Sequence, residues 1–217
     1  MDENKDFDSF LNQLKEESVR KKVILIEIFS IAFTLVSCGA SGYFWITVGS
    51  MASMAISADS FLDIVAYLTV IWRYFKPSDL NSIKRDIKAQ ILFSILFLLT
   101  AICVEFESFK NWFFMIKPKP NHAFILISVF QSIVFSFISM IKFSLCKNIK
   151  LNSCLFASGV NSLMAAFGLF SMASSMIIFV YNPEIWFLDS ILGFIFGILL
   201  FIYATKLFFT NLFLCWF

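Results

Sequence analysis

Residues 50–72 read SMASMAISADSFLDIVAYLTVIW, an apolar run whose only charges are Asp59 and Asp63. A bilayer core of about 30 Å needs roughly 20 apolar residues of helix to cross it. The stretch therefore reads as a membrane-spanning helix with two carboxylates near its middle. They stand four residues apart, so both project from one face. An ionised Asp at that depth costs on the order of 2.5–3.5 kcal/mol, and two like charges repel as well. Either one is protonated or a cation sits between them. In the sequence no Lys or Arg falls at mid-membrane depth in any span, which favours a mobile ion. The plainer alternative is one neutral Asp that hydrogen-bonds a neighbouring helix as packing glue.

The rest of the chain has the same solvent in view. Hydrophobic residues make up 59% of the 217 residues and charged ones 15%, with Phe occurring 30 times. Soluble domains hold roughly 45–50% and about 25% respectively. A net charge of +2 without a basic stripe argues against nucleic acid. The acidic and basic start, Met1 to Lys22, is unlike a secretory signal. Five cysteines without a CxxC pair give neither a disulfide framework nor a zinc finger, and four of them are expected as buried thiols.

Six windows have the length and apolarity of a span: 23–43, 50–72, 89–106, 123–146, 153–180 and 187–209. Gly42 and Gly49, Pro77, Pro118 and Pro120, and Pro183 mark the breaks. The expected organisation is a cytoplasmic tail over 1–22, a six-helix transmembrane domain over 23–209 and a short cytoplasmic end over 210–217. Bases crowd the tail, the connection after the second span and the connection after the fourth, where Lys142 is counted beside Lys147 and Lys150. The opposite side holds only Lys110, Lys117 and Lys119. By the positive-inside rule both termini face the cytoplasm. Glu27, a turn inside the first span, is expected to reach the headgroups. Asp189 is expected at the start of the sixth span, where a helix N-terminus favours negative charge. Phe7, Phe10, Leu11 and Leu14 suggest a short helix from Asp8 or Ser9 on the membrane surface, or else a disordered tail. Trp112 to Ile116 are expected in the outer interface.

On the fifth span, Cys154, Ser158, Asn161, Ala165 and Gly168 share one small, polar face. It suits close helix approach, and Cys154, Ser158 and Asn161 are candidate metal ligands beside Asp59 and Asp63. A serine protease, suggested by Gly39-Ala40-Ser41-Gly42, is rejected, because the only histidine, His122, lies at a loop edge.

Asp59-Ser60-Phe61-Leu62-Asp63 with Trp72-Arg73-Tyr74 resembles the second helix of the transmembrane protein 163 family, a branch related to the cation diffusion facilitators. Lys142-Phe143 with Lys147, Asn161-Ser162-Leu163 and Trp186-Phe187-Leu188-Asp189 extend the resemblance, as do Gly193, Gly197, Phe201, Tyr203 and Lys206. It covers about 50 to 207. It implies an all-α, six-helix membrane bundle without the superfamily's cytoplasmic C-terminal domain, dimeric, and not an enzyme. It further implies zinc (Zn2+) as the ion moved, from cytosol to a vesicle lumen or the exterior, in exchange for protons. Endosomal, synaptic-vesicle or plasma membranes are the expected locations. The family has an Asp where this chain has Ser158, so the site is expected to lose a carboxylate, with Cys154 as a compensating ligand. The competing expectation is a non-transporting accessory protein that modulates channels or transporters.

Overall fold

The computed structural model describes residues 3–48, 51–75, 83–117, 121–147, 149 and 153–216, with side chains described over 17–43, 46, 59–75, 83–117, 121–147, 149 and 153–212. The described chain is all helical. Its α-helices are α1 (Glu3–Val48), α2 (Met51–Tyr74), α3 (Ile83–Phe113), α4 (His122–Cys146), α5 (Ser153–Tyr181) and α6 (Leu188–Trp216), with a 3-10 turn at Pro183–Ile185. Among the described residues, five stretches are long and apolar enough to cross a membrane: Glu17–Tyr43, Ile83–Phe113, His122–Cys146, Ser153–Tyr181 and Pro183–Leu212. The α2 helix has 24 residues, enough for the same length.

Its radial pattern is that of a protein dissolved in lipid. Large apolar side chains face outward, among them Leu25, Phe61, Leu126, Phe137 and Tyr181. The interior instead collects hydroxyls and charges, including Ser30, Ser94, Ser139, Glu27, Arg73 and Lys142. Lipid tails solvate the first group as well as a core would, whereas polar groups must find partners inside the bundle.

Consecutive helices run antiparallel, so both chain termini share one end, here the terminal end; the other is the far end. The closest pairings are α3 with α6, α4 with α5, and α1 with α2. Small residues permit them. A Cβ at Gly193 would collide with Ser108 Oγ, and one at Gly197 would lie 2.7 Å from Glu105 Cγ, so α6 rests its backbone on α3. Between α4 and α5, Ser139 donates to the Gly159 carbonyl at 2.9 Å and Ser132 to that of Ala166 at 2.8 Å.

Local chemistry sets the helix ends. The α3 helix stops in a Schellman arrangement: Met115 turns left-handed with φ of 49°, Met115 N–H bonds the Trp112 carbonyl, and Ile116 N–H bonds that of Asn111. The exposed run Trp112, Phe113, Phe114 and Met115 lies within that turn. Asn121 caps α4 by accepting from Ala123 and Phe124 N–H. At the end of α2, Arg20 donates to the Phe75 carbonyl at 2.7 Å and Arg85 to that of Trp72 at 2.9 Å.

Several sequence expectations change. The backbone from Glu3 is the start of one 46-residue helix rather than a separate tail or short surface helix; side chains of Phe7, Phe10, Leu11 and Leu14 lie outside the described set. The third span extends from the expected 89–106 to Ile83–Phe113, because its polar flanks find partners within the bundle. The sixth continues past 209 to Trp216. Of the thiols, Cys146 and Cys154 are buried, Cys38 is half-buried and Cys103 is exposed. Gly49, Pro77, Pro118, Pro120 and the side chains of Trp45 and Cys215 lie outside the described residues.

Candidate cation site

A cavity of about 190 Å³ occupies the far-end half of the bundle. Asp59, Ser60 and Asp63 line it from α2, Thr100, Glu107, Ser108 and Asn111 from α3, and Asn161, Ala165 and Gly168 from α5. Asp189, Ser190 and Gly193 add the wall from α6. The lining is rich in acceptors and includes four carboxylates.

At the floor, Asp63 is buried and its Oδ1 accepts from Asn161 Nδ2 at 2.7 Å. One turn away toward the far end, Asp59 has the Thr100 side chain as a hydrogen-bonding neighbour. Its Oδ1 is sealed from solvent and has no hydrogen-bond partner among the described residues. Glu107 Oε1 and Asn111 Oδ1 are in the same condition, and both residues line the same cavity. A buried acceptor without a donor costs roughly 1–3 kcal/mol, and more when charged. Three such acceptors surround one space. Near the mouth, Asp189 accepts from Ser175 Oγ at 3.1 Å and lies within electrostatic reach of Glu107, which also pairs with Lys110 at 2.8 Å.

The structure thus brings Asp59, Asp63 and Asn161 to one place. Cys154 and Ser158 are not in the cavity lining. Ser158 lies one layer toward the terminal end, where its hydroxyl donates to Glu27 Oε1 at 2.9 Å and accepts from Lys142 Nζ at 2.8 Å. Cys154 lies deeper still, in the apolar cluster with Tyr74, Leu155 and Ala157. Among the described residues, no three His, Cys, Asp or Glu side chains converge tightly enough to hold a metal ion.

Beneath the cavity lies a feature that sequence reasoning missed. Glu27 does not reach the headgroups: it is fully buried and forms an ion pair of 2.9 Å with Lys142, equally buried. Lys142 also donates to Ser162 Oγ at 3.1 Å and sits 4.0 Å from the centre of the Tyr67 ring. It is therefore no loop charge, and the bundle interior does hold a cation within electrostatic reach of Asp63. Beside Ser158, α1 supplies a carboxylate, Glu27, already neutralised by Lys142. Arg73 and Asp86 form a second buried pair at 3.4 Å, with Gln90 donating to Asp86 at 2.7 Å. The one signal available in the sequence was helical position: Glu27 and Lys142 each lie about a turn inside a span rather than beyond it.

With the geometry in place, comparison with known proteins narrows the field. Transmembrane protein 163 from Xenopus laevis is 27% identical over 191 residues, which cover 88% of this chain and 68% of the frog protein. The chain is a distant homologue of transmembrane protein 163. It is a multi-pass membrane protein. No protein-family model matches it.

Proposed function

We propose that this chain is a carrier for a divalent metal ion, zinc foremost, with Asp59 and Asp63 as the residues that bind it in transit. The observation that carries the reading is the sealed, donor-less Asp59 Oδ1, one helical turn from a second carboxylate at the floor of a cavity lined by four acidic side chains. A dication placed there satisfies both acids at once. Asn161 orients Asp63, and hydroxyls from Ser60 and Thr100 stand by as further oxygen donors. This is an all-oxygen set with two ionised members, so it suits a hydrated ion held loosely for release rather than a structural zinc. Loose binding is what cargo requires.

In this reading the termini face the cytosol, the cavity opens to a vesicle lumen or the exterior, and the protein works as a homodimer. After the ion departs, protons taken up by the emptied carboxylates lower the cost of returning them through the low-dielectric interior. Support for zinc comes from the resemblance of the Asp59–Asp63 and Asn161 segments to a zinc-transporting group. The second reading, an accessory protein that binds metal without moving it, is favoured by the absence of a three-ligand cluster among the described residues.

Zinc uptake into proteoliposomes separates them. The unmodified protein is expected to accumulate zinc, and Asp59→Asn and Asp63→Asn each to lower the rate by about 100-fold, as loss of an essential ligand does. Binding without flux in the unmodified protein would leave the accessory reading standing.

A further inference from the structure

We propose that the Glu27–Lys142 pair, with Ser158, Ser162 and Tyr67, is the gate that shuts the cation pathway on its terminal-end side. The inference rests on the carrier reading and adds the element that must open to admit an ion from the cytosol. The cavity runs from the far end to Asp63 and Asn161 and stops there. In the next layer Tyr67, Glu27, Lys142, Ser158 and Ser162 are each completely buried, and none of them lines the cavity. The layer draws on four helices: Glu27 from α1, Tyr67 from α2, Lys142 from α4, and both serines from α5. The α1 and α4 helices touch only lightly elsewhere, and the ion pair of 2.9 Å is the polar link between them.

The chemistry of the layer suits a closure that must also open. When it is shut, Lys142 is saturated: Glu27 Oε2, Ser158 Oγ and Ser162 Oγ accept from it, and the Tyr67 ring faces it. Glu27 has Lys142 on one oxygen and the Ser158 hydroxyl on the other. The pair gives up most of its hydration to form this contact, and a buried ion pair is often no more stable than apolar side chains of equal volume. If helix movement lets water in, both charges regain hydration and the open state is compensated. An apolar plug has no such compensation and stays shut. The cation of the pair also lies within electrostatic reach of Asp63, one layer away.

The gate separates the cavity from Cys154, which is completely buried on its terminal-end side, while Cys103 is exposed on α3. Cys154 is thus a native reporter. The test uses the full chain in proteoliposomes, a membrane-impermeant maleimide applied at the terminal end, and mass spectrometry to read each cysteine. Glu27→Gln is expected to raise the rate of Cys154 labelling about tenfold or more over that of the unmodified protein. The double replacement Glu27→Leu with Lys142→Met is expected to lower Cys154 labelling below that of the unmodified protein. It should also cut zinc uptake at least tenfold, at equal or higher thermal stability. Should Glu27→Gln fail to fold, the double variant decides alone. Unchanged labelling and uptake in the double variant would make the pair a structural tie and overturn the gate. Labelling needs no zinc, so a failure of the carrier reading appears separately, as zinc uptake insensitive to Asp59→Asn.

Discussion

The two halves of the bundle treat the same kind of side chain in opposite ways. In the terminal-end half each buried carboxylate has a cation and a second donor: Glu27 has Lys142 and Ser158, and Asp86 has Arg73 and Gln90. In the far-end half Asp59 and Glu107 each keep a sealed oxygen without a donor, and both face the cavity. One half is finished as a structure. The other is held open by helices that meet on glycine at Gly193 and Gly197, and two of its carboxylate oxygens have no donor among the described residues. A stable fold tolerates such incompleteness where it serves binding, because unsatisfied charge is then the source of affinity.

That contrast can be tested by removing charge from each half. Lys142→Met strands Glu27 in a dry interior and is expected to cost about 3–5 kcal/mol, read as a fall in melting temperature in detergent. Next in size is Gly193→Val, which drives a side chain into Ser108 and should cost about 1–3 kcal/mol by overpacking the seam between α3 and α6. Asp59→Asn should move stability the other way. Deleting an unpaired buried charge is expected to raise it by about 1–2 kcal/mol even as zinc uptake is lost. A melting temperature lowered by Asp59→Asn would place that residue among the structural carboxylates and erase the difference between the halves. The smallest effect belongs to Glu107→Gln at the cavity mouth, where weaker attraction should slow zinc uptake about twofold at low ionic strength and less at high salt.

Much of this was legible without coordinates. Apolar length pointed to the five stretches that are long and apolar enough to cross a membrane among the described residues, since the cost of exposing backbone to lipid leaves helix as the only option for such a run. The i, i+4 spacing placed Asp59 and Asp63 on one face, and the polar stripe of the fifth span put Asn161 opposite them. The same stripe misled at Ser158 and Cys154. A helical face spans the full depth of the bundle, and periodicity cannot say which turn of a neighbour each residue meets. Here Asn161 meets the cavity, Ser158 the ion pair and Cys154 the apolar core beneath.

Local rules, then, determined on their own that this chain crosses a membrane several times and carries two acids where acids are costly. Whether an intramembrane charge is satisfied was decided only in three dimensions. Glu27 and Lys142 are separated by 115 positions, and nothing near either one announces the other. Desolvation is a property of all the atoms surrounding a group, so pairing across helices turned one carboxylate, Glu27, into a tie and left another, Asp59, with a sealed oxygen that has no donor among the described residues.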